Sequence, residues 1–220
     1  MHLWERANHH TRPLPGTGAS LDCPLSDGKK PTQLGCLGAQ SGAMDAGKYA
    51  RYEFERRFLV DHVPAEVDRG AGWRILDRYL EGTRLRLRRM EPAGGGPPVL
   101  KLGQKETPDP SDPRTAVITT IYLSAAEHAM LDGLPGHELA KTRHAVAEGD
   151  RRWAIDVFAG ALDGLILAEL EYPDAVAMAR HTVLPAWIAT EVTDDVSLAG
   201  AALAHLSPEE ATALVARSLT

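Results

Sequence analysis

The residues able to do chemistry in this chain sit as charges inside short apolar segments. In "YEFERRFLV", Tyr52 to Val60, a period of two places Glu53, Glu55 and Arg57 on one face. Tyr52, Phe54, Arg56, Phe58 and Val60 share the other. "TRLRLRRM" lines up Arg84, Arg86 and Arg88 against Leu85 and Leu87, and "VLKLGQK" sets Lys101 and Lys105 against Leu100 and Leu102. "KTRHAV" brings Lys141 and Arg143 together, "WAIDVF" places Asp156 opposite Ile155 and Val157, and "LAELEY" pairs Glu169 with Glu171. In "ATEVTDD", Glu191 pairs with Asp195 against Val192.

Any one such segment is an ordinary sheet strand with one wet face. The set is less ordinary. Like charges side by side on one strand face repel unless something neutralises them. Here arginine-only, lysine-rich and glutamate-only segments are segregated rather than interspersed. If the sheet closes with these faces inward, its lumen holds a cation cluster and a carboxylate cluster. Arginine and lysine there suit polyphosphate oxygens, and grouped carboxylates suit a hard divalent metal ion.

The elements that must position these charges are mostly strands. Strand-like segments fall near 51–60, 73–80, 83–90, 98–105, 115–123, 138–147, 151–158, 165–172 and 188–193, many separated by the turns "EGT", "PAGGGPP", "EGDR" and "ALDG". Ser124 and Glu127 open a helix as a capping box, as do Ser207 and Glu210 around Pro208. A third helix is expected from Asp174 to about Thr182. The pattern predicts an α+β, mainly β fold: a largely antiparallel sheet or barrel with a few packed helices. Trp73, Trp153 and Trp187 are expected in packing, and His128 and His144 in packing or on the surface rather than as ligands. "PAGGGPP" is expected as a hairpin turn.

At 220 residues, 44% hydrophobic and 25% charged, the chain suits one sizeable domain. A formal net charge of −6 excludes a general basic field for nucleic acid. No apolar run approaches the roughly 18 residues of a membrane span, and no basic-then-apolar leader opens the sequence. The expectation is a cytoplasmic protein with neither nucleic-acid nor membrane partner, a homodimer being one option. Residues 1–45 are rich in Gly, Pro and Ser and are expected as a disordered extension ahead of a domain over 46–220, with Met44 as an alternative translation start. Cys23 and Cys36 show no metal or disulfide spacing, and zinc held with His9 and His10 is a remote option.

Taken in order, "EFERRFLV", "DRYLEGTRLRLRR", "LKLGQK", "KTRH", "DVFAGALDGLILAELEY" and "EVTDD" resemble the CYTH domain, or triphosphate tunnel metalloenzyme, family over roughly Tyr49 to Leu203. The resemblance implies a closed antiparallel β-barrel, a tunnel of about eight strands, acting on triphosphates with magnesium or manganese. Known members include inorganic triphosphatases, thiamine triphosphatases and some adenylate cyclases. Carried over, it implies Glu53, Glu55, Asp156, Glu169 and Glu171 as metal ligands. It implies Arg57, Arg86, Arg88, Lys101 and Arg143 as substrate contacts, and Lys141 as the group that steers or activates water. Arg84, which falls where some relatives have an acid, and Lys105 join the substrate contacts as cations on the same strand faces. Arg57 stands where the family usually has lysine. Ile118 and Thr120 in "VITTIYL" stand where relatives often have acids, and "VSLAGAALA" lacks the basic and tyrosine residues that commonly follow "EVTDD".

The function expected from residues and resemblance together is a metal-dependent hydrolase of a small triphosphate, of the kind that splits tripolyphosphate to pyrophosphate and phosphate. The alternatives are a non-catalytic polyphosphate- or nucleotide-binding module and an adenylate cyclase.

Overall fold

The computed structural model describes residues 48–218. The expected N-terminal extension, Met44 and the Cys23, Cys36, His9 and His10 group lie outside the described residues. Nine strands follow in order: β1 (Arg51–Leu59), β2 (Trp73–Leu80), β3 (Leu85–Pro92), β4 (Val99–Glu106), β5 (Thr115–Tyr122), β6 (Gly136–Glu148), β7 (Arg151–Phe158), β8 (Ile166–Tyr172) and the two-residue β9 (Thr190–Glu191). Helix α1 (Ala125–Asp132) lies between β5 and β6, and α2 (Ala175–Arg180), α3 (Gly200–Ala204) and α4 (Pro208–Ser218) follow β8.

The sheet runs β5-β4-β3-β2-β6-β7-β8-β1-β9, and β5 also pairs with β1, so eight antiparallel strands close into a barrel. Closure depends on β1, which pairs with β5 through Arg51–Phe54 and with β8 through Phe54–Leu59. Where β5 ends, the segment around β9 takes over that edge. Arg57 N–H donates to Thr193 Oγ1 at 3.0 Å, and Val192 N–H donates to the Arg57 carbonyl at 2.8 Å. No strand edge of the barrel proper is left open.

Tight turns hold neighbouring strands in register. Gly149, at φ 59°, makes the two-residue turn between β6 and β7 possible, a backbone region that favours glycine. "PAGGGPP" forms the β3–β4 hairpin connection, with Gly95 N–H donating to the Pro92 carbonyl. Both capping boxes form: Ser124 and Glu127 at α1, and Ser207 and Glu210 at α4, each satisfy two otherwise orphan N–H groups reciprocally. The helix expected from Asp174 is capped by that residue but spans only Ala175–Arg180. Helix α3 was not anticipated: "GAALA" has no side-chain cap and is too short for periodicity to reveal it.

Two apolar clusters flank the charged interior. On the outer face of β1, β7 and β8, Phe58 and Trp153 meet edge-to-face with ring centroids 5.4 Å apart, and Trp187 packs on Trp153 at 5.2 Å. Val60, Ile155, Ala168, Leu170, Tyr172 and Met178 complete this cluster. The aromatic contacts are each worth about 0.5–1.5 kcal/mol beyond area burial. Tyr52 shares that face but is exposed, because the cluster that covers Phe58 begins only farther along β1. The second cluster joins the inward-facing Leu139, Phe158 and Leu167 to Leu198, Leu203, Ala211 and Leu214, so the C-terminal helices plug one end of the barrel.

Helix α3 approaches this plug closely. A Cβ on Gly200 would lie 2.3 Å from Tyr79 Oη. Gly200→Ala is expected to cost about 1–3 kcal/mol in urea unfolding, with part recovered by adding Tyr79→Phe; an unchanged midpoint would rule out this packing.

Candidate functional site

Residues directly opposite in an antiparallel pair share a face, so the register decides what enters the lumen. Starting from Arg57 opposite Glu169, the inward set comprises Glu53, Glu55 and Arg57 on β1; Ile75, Asp77 and Tyr79 on β2; and Arg86 and Arg88 on β3. It continues with Lys101 and Lys105 on β4, Ala116, Ile118, Thr120 and Tyr122 on β5, Lys141 and Arg143 on β6, Asp156 on β7, and Glu169 and Glu171 on β8. Of the residues singled out in the sequence, Arg84 does not join them. It precedes β3, half exposed on the rim, and its guanidinium pairs with Glu106. Glu191 lies on the outer face, accepting from Arg56 Nε at 3.0 Å and Nη2 at 2.5 Å, which accounts for the arginine among the aromatics of β1. Asp194 pairs with Arg114. At the end opposite the plug, Arg51, Tyr122 and Glu171 are exposed and form an open mouth.

The cations of the lumen hang on two buried aspartates. Asp77 accepts both Nε and Nη2 of Arg88, at 2.5 and 2.6 Å, and lies 3.8 Å from Arg86. Asp156 accepts Lys141 Nζ at 2.5 Å and both Nε and Nη2 of Arg143 at 2.6 Å, and Arg143 reaches on to Glu169. Both aspartates are fully buried. Burial works to raise the Asp77 pKa, but Arg88, Arg86 and Lys141 outweigh it and hold it at about 2. Burial likewise opposes ionisation of Glu169, yet Arg143 and Lys141 keep it well below the usual carboxylate range. Lys141 moves the other way: burial, then Arg143, push it down against the pull of Asp156. Lys101 is lowered by burial, then by Arg88 and Arg86; its ammonium rests 5.2 Å from the centre of the Tyr122 ring, and no carboxylate pairs with it among the described residues.

The carboxylates gather on the β1–β8 side. Lys105 Nζ donates to Glu53 Oε2 at 2.8 Å and to Glu55 Oε1 at 2.7 Å, while Arg51 reaches Glu171 at 3.2 Å. Burial raises the Glu55 pKa, and Glu169 and Glu53 add to it despite Lys105. Burial also raises Glu171, with Glu53 and Glu55 adding to the rise. These carboxylates are all hard oxygen donors carrying more negative charge than their neighbours offset, which fits a divalent cation chemically. β5 adds none, since Ile118 and Thr120 occupy its inward positions. Among the described residues no group of three or more His, Cys, Asp or Glu side chains is gathered to hold an ion, because the oxygens are turned to Lys105 and arginines. Asp156 in particular is committed to Lys141 and Arg143.

Sequence reasoning missed Asp77 and Tyr79. The available signal was "WRILDRYL", where Asp77 shares its face with Trp73, Ile75 and Tyr79, a lone acid on an apolar face that only a cation can accommodate. His144 Nδ1–H donates to the Ala71 carbonyl at 2.8 Å, and both it and His128 are buried outside the lumen.

The shifted groups give signed consequences for stability. Asp77, lowered from 3.8 to about 2, contributes stability that is present above pH 4 and lost as pH falls toward 2, roughly 2 kcal/mol in all. Glu55 and Glu171, both raised, act oppositely, their ionisation costing stability as pH climbs above 4.5. Asp77→Asn is expected to lose about 3–5 kcal/mol at neutral pH, since it strands Arg88 in a buried site. Urea unfolding as a function of pH should also show a flatter decline below pH 4 in the variant; an unchanged decline would overturn this assignment.

No protein-family model matches the chain, and no curated protein does. Solved structures do. The chain is 27% identical to the inorganic triphosphatase NE1496, over 71% of this chain and 96% of that one, with a TM-score of 0.48. It is 14% identical to a Bacillus halodurans protein described as a candidate adenylate cyclase, over 60% and 88% of the two chains, TM-score 0.41. It is 10% identical to the Hippeastrum protein HpAC1, described as a candidate adenylyl cyclase with a dominant triphosphatase activity, over 58% and 82%, TM-score 0.37.

Proposed function

We propose that the barrel takes a small triphosphate into its lumen and hydrolyses the terminal anhydride with the help of magnesium or manganese. The observation that carries this reading is the juxtaposition, inside one closed barrel, of the cations Arg86, Arg88, Lys101, Lys141 and Arg143 with the carboxylates Glu53, Glu55 and Glu171. An anion with several adjacent charged oxygens matches the first group, and a hard cation the second. The motif resemblance supports the same chemistry.

In this mechanism the substrate enters by the mouth at Arg51 and Tyr122, since the opposite end is filled by Phe158, Leu167 and the C-terminal helices. Lys101, paired with no carboxylate among the described residues, meets it first. Arg86, Arg88 and Arg143 then grip the phosphate oxygens. Asp77 and Asp156 use up one edge of Arg88 and of Arg143, so the remaining N–H groups are aimed before substrate arrives. Glu53, Glu55, Glu169 and Glu171 would hold the cation, which supplies charge neutralisation at the phosphate oxygens when bound. Lys141, held by Asp156, steers the attacking water, whose proton is taken up by the phosphate oxygens of the products. The terminal P–O bond breaks, and pyrophosphate and phosphate leave by the same mouth.

One observation favours a second reading, a module that binds polyphosphate without turning it over. The inward positions of β5 are Ile118 and Thr120, so one wall of the lumen supplies no carboxylate for a cation.

A phosphate-release panel separates the two. Tripolyphosphate, thiamine triphosphate and ATP are each offered with magnesium or manganese. Hydrolysis of tripolyphosphate is expected, falling about 10²–10³-fold in Glu53→Ala/Glu55→Ala and about 10–100-fold in kcat/KM in Arg86→Ala. No release above the double variant, with intact ligand bound tightly in calorimetry, would establish the binding module instead.

A further inference from the structure

Glu53 and Glu55 lie two residues apart on one strand face, so their carboxylates cannot avoid each other. A single ammonium bridges them, Lys105 Nζ, at 2.8 Å from Glu53 and 2.7 Å from Glu55. The lysine does not come from a neighbouring strand. It belongs to β4, and β5 stands between β4 and β1 in the barrel. The inward residues of β5 opposite Lys105 and Glu53 are Ile118 and Ala116, which offer no polar group and leave the lysine stem an apolar path across to β1. The side where relatives often bring acids toward a cation is the side from which this chain brings a cation of its own.

We propose that Lys105 is a tethered counter-ion that occupies the Glu53–Glu55 pair in the free protein and must be displaced for a divalent cation to bind there. The proposal rests on the reading of these carboxylates as cation ligands. An ammonium and a metal ion compete for the same oxygens and repel each other, so the two do not share the pair. Once displaced, Lys105 needs another anion. The other lumen carboxylates are engaged, Asp77 and Asp156 by arginines and Lys141, and Glu171 by Arg51. Triphosphate oxygens supply what Lys105 then lacks. Cation binding to the free protein is therefore weakened by the stranded lysine, and triphosphate removes that cost. By linkage the metal strengthens triphosphate binding by the same factor. Metal and substrate enter as a coupled pair, and the empty barrel does not hold a loose divalent ion.

The test uses manganese alone, without triphosphate, on the full chain. In Lys105→Met and Lys105→Gln the carboxylate pair is left without its counter-ion. Manganese affinity, by calorimetry or by loss of the free-ion spin-resonance signal, is expected to rise about 10-fold or more over the unmodified protein. The metal-induced increase in Tm is expected to be larger in both variants, because the ion binds the folded form more tightly. Lys105→Arg, which keeps a tethered cation, is expected to stay as weak as the original. If Lys105→Met and Lys105→Gln fold and bind manganese no more tightly, while the unmodified protein hydrolyses tripolyphosphate with manganese, the proposal fails and the hydrolase reading stands. If no form binds manganese and tripolyphosphate stays intact, both fail.

Discussion

The rest of the structure depends on the neutralisation of charge inside a closed barrel. Pairing β1 with β5 removes the last open edge and takes a densely charged sheet face out of bulk water. In such a place each charge needs a partner, because an unpaired buried ion costs several kcal/mol. The cheapest partners are those directly across a strand pair, and two arise from the register itself: Asp77 opposite Arg88, and Arg143 opposite Asp156. A slip of one residue at either pair would break a bidentate ion pair and turn its charges to the apolar outer face. Charge pairing thus specifies the same register as the Phe58–Trp153 packing does from outside. The two constraints agree, and agreement across levels is what makes one fold win.

The same neutralisation is uneven, and the unevenness gives the lumen its direction. On the β4–β3–β2–β6–β7 side, cations outnumber the aspartates that hold them, and no carboxylate among the described residues pairs with Lys101. On the β1–β8 side, carboxylates crowd until Glu55 and Glu171 are pushed up. A lumen divided in this way is poorly suited to a neutral ligand. It is suited to an anion and a cation held against opposite walls.

Much of this was legible in the sequence, and the reasons it stopped are physical. Period-two alternation located all eight barrel strands to within a few residues and grouped the inward charges of β1, β3, β4, β6, β7 and β8, but it also grouped with them Arg84, which precedes β3, and Glu191, which lies on the outer face. What alternation cannot carry is partnership. Nothing local to "WAIDVF" says that Asp156 will pair with Lys141 and Arg143. That follows from which strand lies beside β7, a non-local fact. Asp77 was passed over because one acid on an apolar face looks like a blemish until Arg88 is seen opposite it. Lys105 could be placed on its face, but its reach across β5 to β1 exists only once the barrel has closed.

Closure also bears on the arginine at position 57. Arg57 is buried, faces Glu169 across the β1–β8 pair and lies near the plugged end. A lysine desolvated to that degree, among other cations, would be pressed to give up its proton. Arginine instead presents several N–H donors in a fixed fork. The cost is an inflexible, planar donor set, and it is only partly used. Nη2 donates to the Thr193 carbonyl at 3.4 Å, while Nε has no hydrogen-bond partner among the described residues. A buried guanidinium left with a free N–H is tolerated where an anionic oxygen can complete it. Arg57 therefore fits a lumen whose deep end has a donor to spare for an anionic oxygen.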